Sequence, residues 1–194
     1  MSESLTDLEI HPLTPERWPD FETLFGPRGA YAGCWCMWWR LPRKEFTRLQ
    51  GAGTHAALKG IVDSGAPTGL LAYRDGQPVG WIAVAPREDY SSLENSRTLK
   101  RVDDQPVWSI TCFFINRKVR RRGLTAALIE AACAHAARLG ARIIEAYPVE
   151  TGEKAPPVST YMGKITTFRN AGFVEVARFT PRQPILRKTL IPAA

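Results

Sequence analysis

The stretch from Val107 to Val149, VWSITCFFINRKVRRRGLTAALIEAACAHAARLGARIIEAYPV, constrains the fold of this 194-residue chain more than any other. Val107 to Ile115 is a nearly continuous apolar run, as expected of a strand covered on both faces. Leu124 to Leu139 places Leu124, Leu128, Ala131, His135 and Leu139 on one side and is stopped by Gly140, the pattern of a helix. Arg142 to Val149 is strand-like again. The junction of the first strand with the helix is a ready anion site. The first helical N–H groups lack intrahelical partners and the helix dipole favours negative charge there. Gly123 permits close backbone approach, and Arg120, Arg121 and Arg122 add fixed positive charge, so the physics is that of a pyrophosphate cradle. It is neither a Walker loop nor a dinucleotide fingerprint.

The rest of the chain supplies elements of both kinds. Leu8–Leu13 reads as a short strand. A helix follows with Thr14 as N-cap and Pro15 at its first position, bringing Trp18, Phe21 and Phe25 near one face. The sequence Gly26-Pro27-Arg28-Gly29 breaks it. After the aromatic stretch from Gly33 to Arg40, a second helical region with Thr54 as a cap ends near Gly65-Ala66-Pro67. Strands at Gly69–Tyr73 and Val79–Val84 flank Asp75-Gly76, a type I′ hairpin signal. A polar loop covers roughly residues 86–106. Ser159 to Asn170 reads as a helix closed by Ala171-Gly172, and Phe173–Phe179 with Ile185–Ile191 form a final antiparallel pair. No repeat or long linker appears, so a single domain over residues 1–194 is expected. Residues 14–66 form its helical and aromatic N-terminal portion.

Charge narrows the partners. The chain carries 26 Lys+Arg against 19 Asp+Glu, a net charge of +7. Such an excess suits nucleic acid, an anionic membrane or a phosphorylated small molecule. Arg117, Lys118, Arg120, Arg121 and Arg122 supply five of the positive charges, and the remainder of the chain is close to neutral. That placement favours one small polyanion at one helix end over a nucleic-acid surface. The longest apolar run, Cys34 to Trp39, falls far short of the ~20 residues of a membrane span. The N-terminus lacks the signal-peptide pattern, and four cysteines are not a disulfide framework. The expectation is a soluble cytoplasmic protein with reduced thiols. Cys34-x-Cys36 lacks structural-zinc spacing, so no metal is expected.

Ile115-x-x-x-x-Arg120-x-x-Gly123-x-Thr125-x-x-Leu128 resembles the acyl-CoA signature of the GNAT superfamily of N-acyltransferases, V-x-P-x-x-R-x-x-G-x-G/A. Phe168-Arg169-Asn170-Ala171-Gly172-Phe173 resembles that superfamily's Y-x-x-x-G-F segment, and the order of elements agrees from Leu8 to Leu190. The resemblance implies a mixed α/β fold with a central mixed sheet flanked by helices. It implies an acetyl-CoA-dependent N-acetyltransferase that moves the acetyl group directly to a primary amine of a small-molecule or peptide acceptor. By position, the backbone of Phe113, Phe114 and Ile115 would bond the pantetheine. The amides of Arg121, Arg122, Gly123, Leu124, Thr125 and Ala126, with the side chains of Arg120 and Arg122, would hold the diphosphate. A backbone N–H at the splayed end of the central strand would stabilise the developing oxyanion.

Three positions depart from that pattern: Arg117 replaces its proline, Thr125 its second glycine, and Phe168 its tyrosine. Phe168 cannot protonate a departing thiolate, which makes Tyr161 the nearest substitute in sequence. Glu145, beside Ile143 and Ile144, is expected to be partly desolvated with a raised pKa and is the first general-base candidate. The plainer reading is a structural carboxylate paired with an Arg or Tyr. Glu88 and Asp89, or a water chain, come second. Trp35, Trp38 and Trp39 read either as core or as an aromatic wall holding a cationic or planar acceptor. His135 reads as a packed core histidine, His11 and His55 as peripheral, and Cys112 as a small buried hydrophobe. A catalytically silent acyl-CoA-binding regulator and, further off, an RNA-binding protein remain alternatives. Acceptor, acyl group and oligomeric state, a homodimer included, stay open.

Overall fold

The Asp75-Gly76 turn behaves as its chemistry requires, and the sheet grows outward from it. In the computed structural model, which describes residues 8–119, 123–150 and 160–191, Asp75 and Gly76 both lie at positive φ, 50° and 69°. The twist of such a turn matches paired strands. It joins β2 (Gly69–Arg74) to β3 (Gln77–Pro86). On one side β1 (Leu8–Pro12) pairs with β2; on the other β4 (Trp108–Ile115) pairs with β3. With β5 (Ile143–Ala146), β6 (Val174–Thr180) and β7 (Gln183–Thr189), the described strands form one sheet in the order β1-β2-β3-β4-β5-β7-β6. Neighbours are antiparallel except β4 and β5, which run parallel. The class is mixed α/β, as expected.

Six helices surround the sheet among the described residues: α1 (Trp18–Phe25), α2 (Arg43–Leu49), α3 (Ala52–Asp63), α4 (Ser91–Glu94), α5 (Leu124–Arg138) and α6 (Ile165–Asn170). Strand alternation decides which helix meets which side chain. Leu70, Ile82, Val84 and Phe113 face the layer of α5 and α6, together with Leu124, Leu128 and Phe168. Leu71, Trp81 and Ala83 face α1 and α3, against Phe21, Phe25 and Leu58. Both sheet faces are therefore covered, which is why β2, β3 and β4 read as nearly unbroken apolar runs. None of the helices is long and apolar enough to cross a membrane.

Several boundaries differ from expectation. The helix expected from Ser159 begins at Ile165, because residues 160–163 form a turn in which Gly163 sits at φ +87°; Ser159 itself lies outside the described residues. The strand expected over residues 142–149 ends at Ala146: Tyr147 is drawn into a buried polar network, and Pro148 has no N–H to donate. The second helical region splits at Gly51, which lies at φ +95°. Thr54 is consequently not the cap but part of the first turn of α3, donating to the Gly33 carbonyl (2.6 Å) and accepting from the Gly51 N–H (3.1 Å). The polar loop after β3 contains a short turn at Arg87–Asp89 and then α4. The final strands span Val174–Thr180 and Gln183–Thr189.

The pairing of β4 with β5 is short, and the site depends on that. It covers Trp108 with Ile144, Ser109 with Glu145, and Ile110 with Ala146. Beyond Ile110, β4 stays on β3 but leaves β5. A bulge marks the departure: Val84 opposes Ile110 and Ala83 opposes Cys112, so Thr111 is the extra residue. Residues 160–163 lie along the freed edge, held by Gly163. A Cβ there would come within 2.7 Å of the Phe168 ring and 3.0 Å of Phe113. Gly163→Ala should cost about 1–3 kcal/mol in urea unfolding through strain and overpacking together. Gly172→Ala, at φ +85° but with its nearest atoms 3.7 Å away, should show only the conformational part, about 1 kcal/mol. Equal losses would show that the clash at Gly163 is relieved at no cost.

Candidate active site

Leaving β5 exposes backbone on the edge of β4. The Phe113 N–H points away from β3 and donates to the Tyr161 carbonyl at 2.6 Å. Of the three residues expected to serve pantetheine, Phe113 thus has its amide already engaged by the chain's own carbonyl. Its side chain lies edge-on to Phe168, while Phe114 points to the opposite face, 5.1 Å from Phe25. Ile115 closes the strand. A short turn then leads toward Gly123, which caps α5 in the left-handed conformation, φ 77°. The Ala126 N–H turns back to the Gly123 carbonyl (3.0 Å). This removes Ala126 from the amides expected at the helix mouth, because the first turn closes on itself. Leu124 and Thr125 remain there, and Arg120, Arg121 and Arg122 lie outside the described residues.

On the α1 and α2 side, thiols and aromatic rings gather at the same end of β4. The Cys36 Sγ accepts the Trp81 indole N–H at 3.0 Å. A hydrogen bond between the free Cys112 and Cys36 thiols, together with burial, raises the Cys112 thiol well above its ordinary range. Burial pushes Cys34 up to about 11. Tyr161 packs with Trp39 in one apolar cluster. Burial raises the Tyr161 hydroxyl, and Cys112 raises it further, so it is protonated at neutral pH. The Trp39 indole N–H is buried without a partner, close enough to the Tyr161 hydroxyl to act on it but outside hydrogen-bond geometry. Arg43 completes the group. It donates to the Trp38 carbonyl (2.6 Å), and its guanidinium lies 3.3 Å from the centre of the Trp38 ring.

The model of the acetyltransferase (GNAT) family matches residues 31–158, most of the chain. The chain belongs to the GNAT acetyltransferase family. Among solved structures it resembles a GNAT family acetyltransferase from Listeria monocytogenes, with TM-score 0.58 and 10% identity over 94% of this chain and 95% of that one. It also resembles the PaiA N-acetyltransferase from Thermoplasma acidophilum in complex with coenzyme A (TM-score 0.55, 11% identity, 94% and 98% of the chains). A third is the GNAT family acetyltransferase from Streptococcus pneumoniae (0.54, 17%, 95% and 100%). At these identities the likeness is one of fold. No curated protein matches the chain.

Within this GNAT fold the residues singled out from sequence fall into different places. Glu145 is not a free base. Its carboxylate is 1% exposed and accepts from Arg87 Nη1 (3.1 Å), Arg187 Nε (2.7 Å) and the Tyr147 hydroxyl (2.6 Å). Both of its oxygens are engaged by buried donors, two of them guanidinium groups, so it is a structural carboxylate paired with Arg and Tyr, the plainer reading. Trp35 is not an acceptor wall: it is buried in the α1–α3 core, stacked on Phe25 at 5.9 Å. Trp38 is partly exposed but covered by Arg43, and Trp39 alone meets Tyr161. Phe168, at the family's tyrosine position, is a fully buried packing residue. Glu88 is drawn to Arg101 (3.2 Å), and Asp89 faces Arg40 at 3.8 Å. His135 is a packed core residue, as expected, its pKa lowered by burial. His55 is less peripheral than expected, bonded to Glu22 at 2.7 Å and edge-on to Trp35.

Sequence reasoning passed over Arg43, Arg87 and Arg187. The last carried a usable signal: charges inside the apolar strands IIEA and PILRKT must find each other, and Glu145 and Arg187 are register partners. Two outcomes follow. Glu145→Ala should lose about 3 kcal/mol or more in urea unfolding, as removal of one partner from a buried pair does. Glu145→Gln should leave the pH–rate profile of the folded enzyme unchanged, whereas loss of a base would depress the neutral rate and spare the alkaline one. The same network fixes an acid response. Its Asp103, bonded to Arg187 at 2.5 and 3.0 Å, is held down at about 2. A lowered folded pKa contributes stability above the unfolded value of about 3.9, and that contribution fades as pH falls toward 2. Asp103→Asn should flatten the stability curve in this window; an unchanged slope would remove the pair from it.

Proposed function

We propose that the protein transfers the acetyl group of acetyl-CoA directly to a primary amine at the divergence of β4 from β5. One observation carries this reading: just past the bulge, the freed Phe113 N–H already holds a carbonyl oxygen, that of Tyr161 at 2.6 Å. An amide aimed at a carbonyl oxygen there is what a thioester requires, and the thioester carbonyl takes it in place of Tyr161. A relative of the same fold is in complex with coenzyme A. The helix mouth suits the diphosphate: Leu124 and Thr125 present their amides behind Gly123, where a Cβ would meet nothing within 4 Å. Arg120 and Arg122 are assigned to the same anion.

In the reaction the amine nitrogen bonds to the acetyl carbon, the carbon–sulfur bond breaks, and the sulfur leaves as a thiolate that takes up one proton. Acetyl-CoA supplies the activated acyl group; the protein positions it and moves protons. The Phe113 N–H stabilises negative charge developing on the carbonyl oxygen. Tyr161, protonated at neutral pH, gives the proton to the thiolate. With Glu145 sealed between arginines, the proton lost by the amine passes to water or Asp89. Cys112 stands near enough to invite an acyl-enzyme reading, but its raised pKa keeps it a thiol and a poor nucleophile. Direct transfer is therefore favoured.

Acetyl-CoA at millimolar concentration should raise the thermal midpoint of the protein. Tyr161→Phe should keep that shift while kcat falls about 100-fold, the contribution typical of a positioned acid. Absence of any thermal shift would count against the donor, and an unchanged kcat would remove Tyr161 from the proton path.

A further inference from the structure

The aromatic cluster that a cationic acceptor would need is already served by a cation of the chain. Arg43 lies over the Trp38 ring at 3.3 Å, with the Trp39 ring at 5.3 Å, and its hydrogen bond to the Trp38 carbonyl pins it there. Arg87, Arg101, Arg178 and Arg187 are each matched by carboxylates. Arg43 has no carboxylate within ion-pair distance among the described residues, and the titratable groups that act on it are Tyr161 and Cys34. A pinned guanidinium retains donors in a planar fork that matches a carboxylate.

We propose that Arg43 anchors an anionic group of the acceptor, so that the amine acetylated here belongs to a molecule that also carries a carboxylate, of the amino-acid class. This rests on the acetyl-transfer reading given above. The sign of the charge decides between acceptor classes. A second cation brought beside Arg43 meets repulsion, whereas an oxyanion is attracted. Polyamines and other polycations are therefore disfavoured. Position sets the size: Arg43 lies 5.3 Å from the Trp39 ring, Trp39 and Tyr161 pack against one apolar cluster, and the Tyr161 carbonyl meets the edge of β4 where the thioester is received. Anchor and reacting nitrogen are then separated by the span of a small molecule.

The test measures acetyl transfer to the twenty standard L-amino acids, to the carboxamide of each, and to spermidine, by the wild type and by Arg43→Gln and Arg43→Lys. The acetyl-CoA thermal shift is recorded for each protein. The expected result is that at least one amino acid is acetylated and that its carboxamide has a KM higher by about tenfold or more with little change in kcat. Arg43→Gln should raise KM for the acid alone, erasing the difference, and Arg43→Lys should restore part of it. If carboxamides or spermidine are preferred, or if Arg43→Gln weakens acid and amide equally with the thermal shift intact, the anchor is wrong and the acetyl-transfer reading stands. If nothing is acetylated although acetyl-CoA binds, the acetyl-transfer reading fails and the anchor with it.

Discussion

The Glu145 carboxylate, clamped between Arg87 and Arg187, holds together the one parallel seam of the sheet. Three residue pairs are a weak join between β4 and β5, and the join would open further without this network. Glu145 sits in the middle pair, opposite Ser109, whose hydroxyl meets the Tyr147 hydroxyl at 2.7 Å. Arg87 also reaches Glu94 (2.6 Å) and the Leu99 carbonyl (2.7 Å), which ties down the segment following β3. Buried ions are costly unless fully paired, and here each is paired and hydrogen-bonded. The network closes the seam at one end and so decides where it opens at the other.

The groups proposed for acetyl transfer gather at that opening. The bulge at Thr111 turns β4 away, the Phe113 amide faces the gap, and α5 begins a short turn later. On the opposite face the loop between α1 and α2 delivers Cys34, Cys36 and Trp39. That loop is strained: Ala30, Ala32, Trp35 and Cys36 all lie at positive φ, at a cost of order 1 kcal/mol or more each. Burial of Trp35 against Phe25 and His55 offsets the strain, and the residues beside it are thereby held in place. Trp35 is thus core packing, while Trp39 lies between Arg43 and the cluster that holds Tyr161.

Local chemistry made much of this legible in the sequence. Asp75-Gly76, Gly123 ahead of an alanine-rich helix, and the apolar run of β4 each dictate one conformation, and each adopts it. The sequence also sets five positive charges just ahead of α5, of which Arg120, Arg121 and Arg122 lie outside the described residues. What stayed hidden is what arises between distant segments. Glu145 reads alone as a desolvated base, and only the register of β5 with β7 shows that Arg187 neutralises it. Three adjacent tryptophans read as one surface, yet consecutive positive-φ residues send them to different surroundings. The Ala126 amide and the start of α6 depended on how a single turn closes, which no periodicity records.

Amide hydrogen exchange with and without saturating coenzyme A tests the central claim, that the opening between β4 and β5 is where the donor binds, most directly. Protection is predicted to rise over residues 111–115 and 123–126, with the Glu145 seam already protected in the free protein. Protection confined to the groove of about 580 Å³ beside Arg28, Trp35 and His55, or none at saturation, would contradict it.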